Sequence, residues 1–439
     1  MQVADVVVVG GGPAGAAAAL TLARRGRQVT LVDKARFPRD KFCGDGLTTG
    51  ALRLLEGLGL DPARVPSWQP VSDVEVRSPS GRTARFPLPR DQGLFAAVAR
   101  RVDPDAALVD LVRAAGVTVH DGHAAVAATS DPERVVVEVE GLGSVHARYG
   151  VAADGMWSPM RRSLGVAEPG YLGEWHAFRQ YFTDVGPRAA RELFVWFEPD
   201  LLPGYAWSFP LPGGGANVGF GIQRGAKLAT REMKRIWPDL LARPHVRAVL
   251  GPHARPESPH RAWPIPAHID RAVLDAGRVL FVGDAAAATD AMTGEGIAQA
   301  LLTGIRAAES IVAAGPQRPD VVANKYCAAV RADLVTDQRM SMLLIRALRH
   351  RKGARAAVRV AGLTPWTRRH FARWLFEDYP RAVVVTPRRW RRHLFTGPGA
   401  FRSPSHSVHG RYTGQKPGPP TVPAVDGGPA ITGDGPSST

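Results

Sequence analysis

The chain has little cysteine: two residues, Cys43 and Cys327, in 439. Two thiols cannot build a disulfide framework, so a reducing compartment is expected and the fold must hold by packing. No apolar run reaches the ~18 residues that a membrane-crossing helix needs. The thirteen histidines are scattered, with no cluster at ligand spacing, so no metal site is expected. A secretory leader is not expected either, because "VADVVVVGGG" begins beside Met1 and already reads as a core strand. Acidic residues are the other shortage, with 40 Asp+Glu against 56 Lys+Arg and a net charge of +16.

That imbalance is concentrated. Residues 331–402 hold 17 Lys/Arg and 4 Asp/Glu, so most of the positive field sits on one late segment. Its mixture of Arg with Leu, Trp and Phe suits a membrane surface with anionic lipid, an acidic electron-donor protein, or a merely solvated helical face. No recognition motif supports nucleic acid as a partner.

A β-branched run over 3–9, an Ala-rich helix over 13–25 and the strand "QVTLVD" (28–33) make a βαβ unit. A hairpin is expected over 71–90, a helix over 102–116, and strands in "RVVVEVEG" and "VHARYGVAADG". A strand-rich block follows from 166 to 268, then a buried strand within 278–290 and a helix over 294–315. Residues 331–395 read as helices. From 397 the chain is rich in Gly, Pro, Ser and Thr and is expected to be disordered.

The βαβ unit carries Gly10-x-Gly12-x-x-Gly15. Gly10 permits the tight turn, Gly12 lets backbone approach a pyrophosphate, and Gly15 lets helix pack on strand. The helix N-terminus then faces the phosphates, and Asp33 closes the second strand where an acid bonds a ribose hydroxyl. Gly283-Asp284 ends a later strand, and the Gly294-Glu295-Gly296-Ile297 helix start suits a flavin ring. Asp154-Gly155 is a third strand-end pair. In "LLPGYAWSFP" (201–210), Tyr205, Trp207 and Phe209 alternate, which predicts a strand with one aromatic face.

In this order the motifs resemble FAD enzymes built on the para-hydroxybenzoate hydroxylase plan. "FPRDKFCGDGLTTGAL" (37–52), "LPGYAWSFP" and "TGEGIAQAL" resemble the geranylgeranyl reductase family, with its menaquinone side-chain branch as one candidate. The resemblance spans residues 3–395. It implies an α/β fold of α+β two-domain type: a Rossmann-like FAD-binding domain (1–70, 92–165, 269–330), an inserted antiparallel-sheet substrate domain (71–91, 166–268), a basic helical region (331–396) and a tail (397–439).

The resemblance implies reduction of carbon–carbon double bonds in a polyprenyl chain, with FAD as cofactor and an external donor, NAD(P)H or a protein. It extends the cofactor set to Ala14, Lys34, Cys43, Gly44, Arg101 and Asp154, and places Asp45, Tyr205, Trp207, Phe209 and Pro210 toward substrate. Cys43 and Tyr205 are the proton-donor candidates. A cytoplasmic protein, peripheral on the inner face of the membrane, is the implied location. The family usually has Gly where Ala287 stands and Pro where Ala291 stands; loss of that proline is expected to loosen the loop before the helix. The alternative is a flavin monooxygenase or halogenase, although neither "EWHAFRQYF" nor "YAWSFP" matches the Trp-x-Trp-x-Ile-Pro segment usual in halogenases. A flavin-binding carrier without catalysis is a third reading.

Overall fold

The apolar run at the start of the chain becomes the centre of the parallel part of an eight-stranded mixed sheet. The computed structural model describes residues 4–402, apart from 227, 316–317, 388–389 and 391–394. Strand Ala4–Val9, helix α1 (Pro13–Ala23) and strand Val29–Asp33 follow in register. Val6, Val7 and Val8 are fully buried; both faces of this sheet are covered, so its sequence does not alternate. Strand Ala4–Val9 lies between Val29–Asp33 and Gly143–Ala152, with Thr118–Asp121 and Val279–Phe281 outside them, all parallel. The carboxyl ends of these strands therefore gather on one edge, where open α/β sheets bind ligands.

Three further helices frame this edge: α2 (Thr49–Gly57), α3 (Val102–Ala114) and the short α4 (Pro159–Ser163). A small sheet of Gly46–Thr48, Ala96–Val98 and Gln69–Pro70 sits before α2.

The second large sheet runs Arg255–Pro256, Trp175–Thr183, Gly215–Gln223, Tyr205–Leu211, Leu193–Trp196, Asp73–Arg77, Thr83–Pro87. Its strands come from 71–91 and 166–268. It is antiparallel except where Asp73–Arg77 meets Leu193–Trp196 in parallel. The block from 166 to 268 is not all strand: it contains α5 (Met233–Ala242) and α6 (Pro244–Leu250). Met233, Ile236, Trp237 and Leu240 are buried at helical spacing, and Trp237 stacks on Phe220 with centroids 6.0 Å apart. These helices cover one face of the sheet; the opposite face carries the aromatic strand.

Helix α7 (Ile297–Ala314) packs against α1 in the core. It is the one helix among the described residues long and apolar enough to cross a membrane, and most of it is buried in protein. Helices α8 (Pro319–Val330), α9 (Thr336–Leu348), α10 (Arg351–Ala361) and α11 (Pro365–Leu375) follow. They belong to the same compact unit as both sheets. The Phe371 ring of α11 lies 4.7 Å from Phe86 of the 71–91 hairpin.

Residues 399–401, expected to be disordered, are instead bound to the core. Gly399 donates its amide to the Gln92 carbonyl, Ala400 and Leu94 exchange backbone hydrogen bonds, and Phe401 sits edge-on to Trp68 at 5.7 Å. Two apolar residues, Ala400 and Phe401, gain burial by docking back on the core. The remainder of the expected disordered tail, from 403, lies outside the described residues.

Candidate active site

A single cavity of about 1060 Å³ joins the edge of the parallel sheet to the aromatic face of the second sheet. That exceeds the ~300–1,000 Å³ of ordinary small-molecule sites, so a dinucleotide and a second ligand can share it. Its walls come from the glycine loop, the Cys43 turn, the Tyr205–Leu211 strand, the start of α7, and helices α9–α11.

At one end the residues fit a flavin dinucleotide. Gly10 has φ +106°, and a Cβ there would lie 2.2 Å from the Ala153 carbonyl oxygen. Gly10, Gly12 and Ala14 line the cavity; Gly15 does not, and packs against the Gly10 carbonyl instead. Asp33 accepts the Gly11 amide at 2.6 Å and the Ala35 amide at 2.8 Å, and Lys34 lines the cavity beside it. Asp154 accepts from the Ser158 hydroxyl and the Met160 amide through Oδ2, while its buried Oδ1 has no partner among the described residues. Gly283, Asp284, Gly294, Gly296 and Ile297 line the same cavity.

Arg39 was not singled out in the sequence. Asp105, almost wholly buried, binds Arg101 through both carboxylate oxygens (2.8 and 2.7 Å) and Arg39 at 2.9 Å. The two guanidinium groups are the nearest side chains to the position a Gly12 Cβ would take. They complement a pyrophosphate anchored at the start of α1. No local pattern marks Arg39; the Asp105 carboxylate, 66 residues away, brings it beside Arg101.

The aromatic strand answers to its alternation. Tyr205, Trp207 and Phe209 all line the cavity, with successive ring centroids 6.0 Å apart. Pro210 falls on the opposite side of the strand with Ala206 and Ser208 and does not line the cavity. A period of two excludes it from the face of Phe209.

Asn217, on the neighbouring strand and fully buried, holds this wall to the Cys43 turn. It accepts the Trp207 indole N–H at 3.1 Å and donates to the Cys43 carbonyl at 3.0 Å and to Asp45 Oδ2 at 2.9 Å. Tyr181 donates to the same oxygen at 2.7 Å, and Arg179 stacks over Tyr181 at 3.9 Å. Asp45 lines the cavity, yet its side chain is fully buried and its Oδ2 is committed to protein donors, so it braces the wall from within.

Burial pushes the Asp45 carboxyl up to about 6 from its ordinary 3.8, against the pull of Tyr181 and Asn217. The folded chain binds this proton more tightly than the unfolded one. Its stabilising contribution is thus complete below the unfolded pKa and is lost as pH rises through the folded value, about 3 kcal/mol in all. Asp45→Asn, which tolerates the φ of +65° here, removes that slope. Thermal melts between pH 4 and 7 are expected to show the variant gaining on the wild type as pH rises; parallel curves would contradict it.

Cys43 lines the cavity, and burial raises its thiol to about 11 despite the Arg101 charge. Tyr205, its pKa also raised by burial, donates its hydroxyl hydrogen to the Thr293 carbonyl. Both groups hold their protons at neutral pH. Lys41 lines the cavity too, lies 4.7 Å over the Trp263 ring, and is pushed downward by burial.

The loop before α7 is tied, not loosened. Ala291 has an amide N–H that proline would lack, and it donates to Gln338 Oε1 at 3.3 Å; Gln338 Nε2 donates to the Ala267 carbonyl at 2.5 Å. Ala287 sits at φ +51°, ψ +41°, a left-handed conformation that favours the family's glycine. Asp290 accepts the Thr293 amide and hydroxyl, each at 2.8 Å, and the Ser341 hydroxyl at 2.6 Å. Glu295 lines the cavity and accepts the Ile297 and Ala298 amides through Oε1; burial and then the Glu377 charge push its carboxyl upward.

A family model described as FAD binding domain matches residues 3–313. The chain is 35% identical over 352 residues to the menaquinone reductase of Mycobacterium tuberculosis, covering 74% of this chain and 80% of that one. It is 32% identical over 321 residues to digeranylgeranylglycerophospholipid reductase 1 of Methanopyrus kandleri, covering 71% and 80%. Among solved structures, the geranylgeranyl bacteriochlorophyll reductase-like protein of Thermoplasma acidophilum superposes with a TM-score of 0.74 at 21% identity, over 88% of this chain and 99% of that one. At that identity the likeness speaks for the fold alone.

Proposed function

Because the chain belongs to the FAD-binding-domain family, and within it to the family of the menaquinone and digeranylgeranylglycerophospholipid reductases, we propose that it saturates carbon–carbon double bonds of a polyprenyl chain. One observation carries this reading: the ladder of Tyr205, Trp207 and Phe209 lines the same cavity as the dinucleotide-binding glycines. A polyprenyl chain offers only apolar surface and π-bonds, so it is recognised by burial, at roughly 25 cal/mol per Å². Flat aromatic walls supply that area with few rotamers to freeze.

Reduced FAD, when bound, supplies the hydride for one olefin carbon. The protein's part is to hold the chain against the aromatic wall, exclude water and keep a proton for the other carbon. Cys43 Sγ–H is the stronger candidate for that proton, because the Arg101 charge beside it favours the thiolate left behind. Tyr205 Oη–H is the second candidate, already engaged with Thr293. The cofactor contacts are read as Gly10, Gly12, Ala14, Asp33, Lys34, Arg39, Gly44, Arg101, Asp154, Gly283, Asp284 and the α7 start, with Gly15 supporting them by packing.

The sequence carries one dinucleotide fingerprint, so the electrons come from transiently bound NAD(P)H or a protein donor. A substrate that resides in lipid further implies work at a membrane surface. The reading is tested by mass spectrometry of lipid extracts from a host expressing the chain with candidate quinones or prenyl lipids. Each reduced bond adds the mass of two hydrogens. An oxygen-dependent gain of one oxygen atom in the product would instead indicate the monooxygenase alternative, and unchanged lipids would refute reduction.

A further inference from the structure

Helices α9–α11 carry a feature that the reduction chemistry does not use. Residues 338–376 contain ten Lys/Arg and no Asp or Glu. Arg346, Lys352, Arg355 and Arg359 are exposed, and none makes an ion pair among the described residues. Exposed apolar groups stand among them: Val360 is 58% exposed, Leu363 62% and Trp366 68%, around the α10–α11 turn. A soluble monomer rarely leaves a tryptophan and two aliphatic side chains so bare in one turn without a partner for them.

The position of this patch gives it meaning. Ala347 of α9 and Ala357 of α10 both line the cavity and are both exposed. The cavity wall between these two helices therefore lies within the basic face. The inner side of α10 is apolar: Ala354, Val358 and Ala361 are buried, and Val358 lines the cavity. Small side chains (Ala347, Gly353 and Ala357) make this wall thin, Arg and Lys flank it, and an apolar turn stands beside it.

We propose that the α9–α11 face docks on a bilayer containing anionic lipid, with the α10–α11 turn inserted, and that the polyprenyl chain passes from the bilayer into the cavity between Ala347 and Ala357. The proposal rests on the polyprenyl reading above. Basic side chains around an inserting apolar wedge match a negatively charged lipid surface. An acidic protein donor would satisfy the charge but has no need of bare Leu363 and Trp366 beside a cavity wall of small side chains.

The test is flotation of the full chain with phosphatidylcholine vesicles, with and without phosphatidylglycerol. Binding is expected only with phosphatidylglycerol and is expected to fall with salt. R346E/K352E/R355E/R359E is expected to weaken partition at least ~100-fold, from roughly fivefold per basic residue near the surface. L363S/W366S, which leaves the charge unchanged, is expected to weaken it about tenfold or more. Neither set lines the cavity, so both variants should reduce a short prenyl substrate dispersed in detergent as the wild type does, and should lose reduction of a full-length chain held in vesicles. Equal flotation of wild type and both variants overturns the docking face. So does capture of an acidic electron carrier through these same residues with vesicles ignored. Flotation as expected, with no reduction of the short substrate by any form, overturns the polyprenyl reading and leaves the docking face standing.

Discussion

Asn217→Leu is expected to lower kcat/KM by ~100-fold or more while the protein still carries its flavin. The side chain is fully buried and makes three hydrogen bonds, to Trp207, the Cys43 carbonyl and Asp45. Leucine has a similar volume and none of these contacts. The variant leaves an indole N–H, a backbone carbonyl and a carboxylate each short of a partner, at a cost of ~3 kcal/mol or more. The aromatic wall and the Cys43 turn are then free to shift apart. A displacement of ~1 Å at a reacting site is enough for a hundredfold loss. Trp207→Phe is the milder companion, since it removes the indole N–H and keeps an aromatic ring in the wall; about a tenfold loss is expected. The measurements are flavin absorbance per chain, thermal midpoint and steady-state kinetics on the substrate that lipid analysis identifies. An Asn217→Leu enzyme with normal turnover would mean that the wall is held by packing alone.

The second large effect concerns the glycine loop, where two neighbouring glycines are expected to fail differently. At Gly15 a Cβ would lie 1.8 Å from the Gly10 carbonyl oxygen and 3.1 Å from the Ala153 side chain. Gly15→Val must lift α1 off the sheet, so both stability and cofactor are expected to be lost. Overpacking of this kind costs ~3 kcal/mol or more, and purified protein should be colourless. At Gly12 the nearest atom to a Cβ is Arg39 Nη2 at 3.5 Å, so alanine meets no backbone. Gly12→Ala is expected to melt like the wild type and yet bind FAD at least ~100-fold more weakly, because the methyl group occupies the space of close backbone approach to the pyrophosphate. Flavin titration followed by fluorescence, with circular dichroism as the folding control, separates the two. Wild-type FAD affinity in Gly12→Ala would remove the pyrophosphate from this loop.

Much of the cofactor end could be read locally. A glycine fingerprint, its flanking strands and Asp33 lie within one βαβ unit, where backbone conformation and helix start are set by neighbours in sequence. The alternation of Tyr205, Trp207 and Phe209 likewise announces a strand face. The same period, applied one residue further, would have excluded Pro210. Asp45 and Asn217 resisted such reading, because Asn217 lies 172 residues from Asp45 and neither carries a local signal of its partner. Ala291 looked like a lost proline until Gln338, 47 residues away, was found accepting its amide.

By itself, the amino-acid order determined a dinucleotide-binding βαβ unit and an aromatic strand, which rest on backbone freedom and periodicity over a few residues, and a late basic segment, which rests on local composition; the flavin became specific through the family resemblance. Only the tertiary structure decided that the late helices wall the cavity, that Asp105 aims two arginines at Gly12, and that Asn217 fastens the wall to the Cys43 turn. These are meetings of residues far apart in the chain, and a buried polar group declares its partner only once folding has removed water as the alternative.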